Sequence, residues 1–336
     1  MATVIQTDTA QPRRRRLLGQ HVPMEGENGL YTQSWFPICM SSDIGAGEVK
    51  GFPFLGGRVI AFRGTNGAAQ VTSAYCPHLG ADISVGKVVG NHVQCPYHMW
   101  EFNRDGICQK TGSGDPAPRR ASLFAFPTQE KHGLIWAFNG EEPWFEIPDW
   151  PFPDADILTD TQEFPVPMNI DPWIICAQTP DIQHLLYLHK FDLKGPNPEG
   201  NVAWTDHSMF YDMDGLWGGR RMTIRAGIVG TSIFFQTGTL DGRWFGFMTG
   251  MGLPAPSQSR MFSVFAAERT EDEAEVRAFL EEARLHEIAI AMEDSAIGQT
   301  IHFRVGSLTR ADATLARFLD YMRSFPRAHP SAEFID

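Results

Sequence analysis

Two groups of residues in this sequence have the types and spacing to bind metal. The first lies in CPHLGADISVGKVVGNHVQCPYHMW, where Cys76-x-His78 and Cys95-x-x-His98 each set a thiolate beside an imidazole in a tight loop. A Cys2His2 set suits one tetrahedral structural zinc. It also suits a 2Fe–2S cluster with both cysteines on one iron and both histidines on the other. Zinc fingers place both cysteines before both histidines, with the histidines on a helix. Here each loop offers one of each, so each loop can give a ligand to each of two irons. Pro77, Pro96 and Gly80 stiffen the loops and let backbone N–H groups approach the sulfurs.

The second group lies in TPDIQHLLYLHKF. Asp181 and His184 share a helical face. His184 and His189 stand about 140° apart on an ideal helix, so meeting on one ion requires a widened turn or a helix end. Taken alone, two histidines among leucines read more readily as satisfied core residues than as ligands.

The elements that must position these groups follow from patterning. From about Tyr31 to Phe138, runs such as RVIAFRG, AAQVTSAYC and HGLIWAF read as short strands punctuated by turns, including the Asp105-Gly106 hairpin signal. The Pro- and Trp-rich NGEEPWFEIPDWPFPDAD then marks a boundary or strap. In the second half, DPWIICAQTPDIQHLLYLHKF reads as helix. RRMTIRAGIVGTSIFFQTGTLDGRWFGFMTGMGL reads as sheet with an Asp241-Gly242 hairpin. TEDEAEVRAFLEEARLHEIAIAMEDSAIGQTIHFRV reads as one long helix or two consecutive ones. The predicted class is α+β: a small antiparallel-β domain, then a larger α+β domain whose central antiparallel sheet is flanked by helices. The expected divisions are 1–30 for a basic N-terminal arm, 31–145 for the small domain and 146–336 for the large one.

Composition narrows the function classes. A hydrophobic content of 43% supplies a sizeable core. A net charge of −12 argues against a nucleic-acid or anionic-membrane surface. No apolar run reaches membrane-spanning length, and none follows the four-arginine run at 13–16, which reads as part of a basic arm on a cytoplasmic protein. Five cysteines form an odd, sparse set that does not suggest a disulfide framework, so Cys39, Cys108 and Cys176 read as small buried hydrophobes.

The first group resembles the Rieske family, whose pattern is Cys-x-His, about sixteen or seventeen residues, then Cys-x-x-His; the intervening count here is sixteen. With a second half of this length, the chain is similar to the Rieske non-haem iron oxygenases, specifically the terminal alpha subunits of homotrimeric type. Their catalytic half carries Asp-x-x-His-x-x-x-x-His, matched here by Asp181, His184 and His189. The resemblance implies that His184 and His189 bind a mononuclear Fe(II). It places the third ligand at Asp294, with Ile297 three residues on; Glu293 is the adjacent rival and Glu287 a more distant one. It also implies that Asp181 bridges an iron-bound histidine and a cluster histidine of a neighbouring subunit, as a path for electrons.

A separate reductase, with or without a ferredoxin, is then expected to supply NAD(P)H-derived electrons, and O2 is the cosubstrate. The expected reaction is hydroxylation or demethylation of an apolar or aromatic small molecule, since SIFFQTG, GRWFGFMTGMG and HSMFYDMDGLWGG are rich in Phe, Trp and Met. Desaturation and cis-dihydroxylation are alternatives on the same scaffold. A different class is an electron-transfer Rieske protein without catalytic iron.

Overall fold

The computed structural model describes residues 19–336 except positions 166, 299 and 305; the arginine run at 13–16 lies outside the described residues. The β-rich first half forms small antiparallel sheets. One joins Trp35–Met40, Thr128–Lys131 and Leu134–Phe138. Another joins Val49–Phe54, Gly57–Arg63 and Ala69–Ser73. A third joins Lys87–Val89, His92–Gln94, Glu101–Phe102 and Cys108–Lys110. The two Cys/His loops each follow a strand, at Ser73 and at Gln94.

The second half is built on an antiparallel meander of Ser208–Trp217, Arg220–Val229, Ile233–Leu240, Arg243–Gly252 and Arg260–Glu268, edged by Ile157–Glu163 and Asp192–Leu193. The Asp241-Gly242 turn is present. Leu240 pairs with Arg243, and both turn residues take positive φ, 50° and 85°, the conformation that follows sheet twist in a two-residue hairpin. Alternate side chains bury opposite faces. Phe265 and Ala267 join the core beneath the helices, while Val264 and Ala266 join a second cluster on the far side.

Helices α1 (Pro172–Cys176), α2 (Ile182–Tyr187), α3 (Glu273–Gly298) and α4 (Ala313–Ser324) complete this half. The expected single helical stretch after residue 170 divides into α1 and α2 just ahead of Asp181, where Pro180 lacks a donor. The acidic-to-apolar stretch after residue 270 is one helix, α3, with Val276, Leu280 and Ala283 on its buried stripe. Among the described residues no helix is long and apolar enough to cross a membrane.

The proline- and tryptophan-rich segment is a packed wedge. Phe145, Ile147 and Trp150 share a buried cluster with Trp35, Trp136 and Phe138 from the first half and with Ile233, Phe235 and Met248 from the second. Each such side chain contributes about 1.5–3 kcal/mol on burial. Gly250 permits the close approach: a Cβ there would meet the Trp136 ring at 2.5 Å. The division at 145 is also crossed by the last residues. Tyr31 and Thr32 pair with Ala328 and Arg327, and Ile335 is buried in the first half's core.

Residues 22–29 do not behave as part of a free arm. Val22 is buried in the second half's core, and Glu25 forms a buried clasp. Thr32 donates to it through N (2.9 Å) and Oγ1 (2.8 Å), and Glu25 N donates to Asp171 (2.9 Å). Burial, opposed by Arg327, pushes the Glu25 carboxyl up from 4.5 to about 7. A folded-state value above the unfolded one means that the protonated form favours folding. That contribution is complete below 4.5 and is lost as pH rises through about 7. Between about pH 5 and about pH 8, Tm of the wild type should therefore fall more steeply than that of Glu25→Gln. Parallel Tm profiles from calorimetry would contradict this origin.

Candidate metal centres

The two Cys/His loops share one architecture. Gly80 N donates to Cys76 O (2.8 Å) and Cys76 N to Ala81 O (2.9 Å); in the second loop Met99 N donates to Cys95 O (3.1 Å) and Cys95 N to Trp100 O (2.8 Å). Gly80 and Met99 occupy the same place in each turn, both at positive φ, 75° and 58°. These turns bring like donors together. His78 Nδ1 and His98 Nδ1 stand 3.1 Å apart, and the Cys76 thiol lies against that of Cys95. A two-iron cluster with a thiolate end and an imidazole end fits that segregation; a single tetrahedral zinc has no such ends. Burial pushes the Cys76 thiol up to about 12, so loading a metal there must release a proton. Trp100 stacks flat on His78, with ring centroids 4.5 Å apart. Cys39, Cys108 and Cys176 are buried free thiols.

The second group sits at the end of α2. Asp181 is its N-cap, and its carboxylate accepts from His184 N (3.4 Å). At the other end His184 O accepts from both Leu188 N (2.8 Å) and His189 N (3.3 Å). The second bond spans five residues, a widened final turn. It turns His189 toward His184, leaving the ring centroids 5.0 Å apart. Trp217 Nε1 pins the His189 carbonyl from the sheet (2.8 Å).

α3 brings the carboxylates. Asp294 Oδ1 lies 3.0 Å from His189 Nε2 and 3.9 Å from His184 Nε2, and one donor atom from each of the three residues falls within 4.8 Å of the others. Among the described residues, the buried atoms His189 Nε2 and Asp294 Oδ1 have no hydrogen-bond partner. Leaving two such atoms dry and unpaired is costly unless a cation lies between them. Two imidazoles and one carboxylate, with the remaining directions open, fit a non-haem Fe(II).

The backs of both rings are held. His184 Nδ1 meets the main-chain carbonyl of Asp181, and His189 Nδ1 meets Glu293 Oε2 (2.9 Å). Each contact leaves Nε2 for the ion. The family pattern puts the Asp181 carboxylate on the His184 ring; within this chain the Asp181 carbonyl makes that contact and the carboxylate caps the helix. Glu293 braces His189 from behind while Asp294 faces the shared space. Glu287 is elsewhere on α3, bonded to Gln236, and His286 packs against Trp217. Burial lowers the His184 pKa, which favours the neutral, ligating imidazole. At His189 burial pulls the same way, but the Asp294 and Glu293 carboxylates outweigh it and the pKa rises.

Comparison with known proteins bears on the first half and on the fold. The family model for the Rieske [2Fe-2S] domain matches residues 34–127. Cholesterol 7-desaturase nvd of Bombyx mori is 34% identical over 188 residues, 55% of this chain and 40% of that protein. The oxygenase component of 3-ketosteroid-9-alpha-monooxygenase of Mycobacterium tuberculosis is 30% identical over 135 residues, 39% of this chain and 35% of that protein. The chain thus spans about two fifths or less of the length of these relatives. In fold, it matches the crystal structure of dicamba monooxygenase bound to dicamba with a TM-score of 0.69, over 88% of this chain and 97% of that one, at 17% identity.

The first half thus matches a Rieske [2Fe-2S] domain, and the chain as a whole shares the fold of dicamba monooxygenase. A cavity of about 150 Å³ lies between α3 and the large sheet, with His184, His189 and Asp294 in its wall. The aromatic- and Met-rich strands contribute only alternate residues. Tyr211, Met213, Phe234 and Phe247 line it, while Phe235 and Met248 point to the opposite cluster. Ile175 of α1 and Ile290 of α3 also line it; neither stands out in the sequence from ordinary helix core.

Because Glu293 braces His189 from behind, Glu293→Ala should weaken iron binding by about 10–100-fold and leave the visible absorption of the cluster unchanged. Competition with a chelator measures this; an unaltered iron affinity would show that the contact contributes nothing.

Proposed function

We propose that this chain is a terminal oxygenase component that uses O2 and electrons from a partner reductase, with or without a ferredoxin, to oxidise an apolar or aromatic small molecule. The observation that carries the proposal is the pair of orphaned atoms, His189 Nε2 and Asp294 Oδ1, facing each other beside His184 in the wall of an apolar cavity. His184, His189 and Asp294 would hold the iron, and Cys76, His78, Cys95 and His98 the 2Fe–2S cluster. The bound iron supplies the activation of O2.

The chain's own residues do the rest. The Asp181 carbonyl and Glu293 fix the tautomers of the two imidazoles. The Phe, Met and Ile walls exclude water and favour an apolar ligand. In this reading Asp181 would bridge a neighbour's cluster histidine and His184 as a path for electrons, its carbonyl meeting the His184 ring and its carboxylate the His184 N–H. The working form is a homotrimer in the cytoplasm. Exposed Leu79, Tyr97 and Met99 beside the cluster loops, with exposed Tyr187 on α2, support burial against another copy.

Hydroxylation or demethylation is the reaction we favour. Desaturation is a second reading, supported by the similarity to cholesterol 7-desaturase. Metal analysis tests the proposal. About three irons per chain are expected, two with Rieske absorption and one mononuclear. Two irons alone would favour an electron-transfer protein, and zinc a binding module. Changing His184 to Ala should abolish turnover and keep the cluster's colour; retained turnover would defeat the assignment.

A further inference from the structure

The buried stripe of α3 does not stay apolar. Val276, Leu280 and Ala283 continue to Glu287, which is 4% exposed. A leucine there would extend the stripe, whereas a buried carboxyl is costly unless it is bonded. Its partner is Gln236 on the large sheet, 5% exposed, whose Nε2 donates to Glu287 Oε1 at 2.8 Å. Both side chains line the cavity.

The pair is only half satisfied. Among the described residues Glu287 Oε2 and Gln236 Oε1 have no protein partner. Neither is among the sealed, unbonded atoms, so both keep open surface, and the space beside them is the cavity. Apart from the three residues that converge on the metal position, its other polar side chains are Gln178, Thr179, Thr249 and Tyr211, whose hydroxyl already donates to Thr179 O. Glu287 and Asp294 are seven residues apart on one helix face, about 10 Å along the axis.

We propose that Gln236 and Glu287 form the specificity-determining anchor of this cavity, hydrogen-bonding a neutral hydroxyl on an apolar ring-sized substrate about 10 Å from Asp294. This rests on the oxygenase reading and narrows its substrate class. A hydroxyl donates its one proton to Gln236 Oε1 and accepts from Glu287 Oε2 in the protonated carboxyl, so it satisfies both open atoms at once. A hydrocarbon leaves both unpaired. Burial pushes Glu287 up to about 7, which favours a neutral partner over an ion. The second carboxylate on the helix stripe thus selects the substrate, while the first faces the metal.

Isothermal titration of the iron-loaded protein with 2-naphthol, naphthalene and 2-naphthylmethylamine tests this. The wild type should bind naphthol at least about 10-fold more tightly than naphthalene or the amine. The Q236L/E287L double variant should bind naphthol and naphthalene alike; replacing both partners with apolar groups of similar size leaves no orphan, and the cluster absorption reports its folding. Glu287→Gln should retain the preference. Equal binding of naphthol and naphthalene by the wild type, binding of none of the probes, tighter binding of the amine, or a preference that survives in the double variant would each overturn the proposal. The wild-type comparison stands even if the double variant does not fold. Iron content measured on the same samples separates the two claims: missing mononuclear iron defeats the oxygenase reading, whereas a missing hydroxyl preference with iron present defeats only the anchor.

Discussion

Two imidazole nitrogens and a carboxylate oxygen drawn to one point, two of these atoms buried with no hydrogen-bond partner among the described residues, set the terms for the rest of this structure. Such a convergence is unfavourable by itself, so each group must be held from behind. α2 has six residues, too few to be stable alone. It is fixed by its Asp181 cap, by Gln183 meeting Asp312 ahead of α4, and by the Trp217 indole on the His189 carbonyl. α3 supplies the opposing carboxylate from a long helix whose apolar stripe is buried over the sheet. The widened turn at His184 is the local distortion that lets a short helix aim two histidines at one point.

The halves of the molecule are joined by dense packing and short hydroxyl contacts. Thr32 meets Thr231 at 2.7 Å, and Ser34 meets Ser232 at 3.1 Å. These buried hydroxyls satisfy one another where the turn between Arg220–Val229 and Ile233–Leu240 meets the first half, and the aromatic wedge shares a cluster with the flanking Val229 and Ile233. A buried, mutually satisfied seam favours one relative orientation over a range of them. That rigidity suits a protein whose two metal positions lie in different halves.

Much of the site was legible because metal chemistry restricts residue types and spacing more tightly than packing does. Cys76, His78, Cys95 and His98 stand in loops whose prolines and glycine announce turns, and the structure gives both loops the same bonds. His184 and His189 could be paired only by supposing a distorted helix end, which is what occurs. The Asp241-Gly242 hairpin and the long α3 were likewise written in local pattern. Less visible were features that depend on distant segments. Nothing local to Glu25 reveals that Thr32, Asp171 and Arg327 enclose it. The choice between Glu293 and Asp294 depends on the rotation of α3 against α2, which adjacent acidic residues do not encode. Glu287 is the instructive intermediate: its place on an apolar stripe was readable, but its partner Gln236 comes from a strand about fifty residues away.

The pairing of Tyr31 and Thr32 with Ala328 and Arg327, and the burial of Ile335 beneath the first half, bear on how the chain matures in the cell. The half that carries the Cys/His loops emerges early from the ribosome, yet its core lacks a component until residues near 335 have been made. Nascent chains stalled before that point expose an unfilled hydrophobic pocket, so chaperones should retain them and the inorganic cluster should be inserted stably only after this late segment docks.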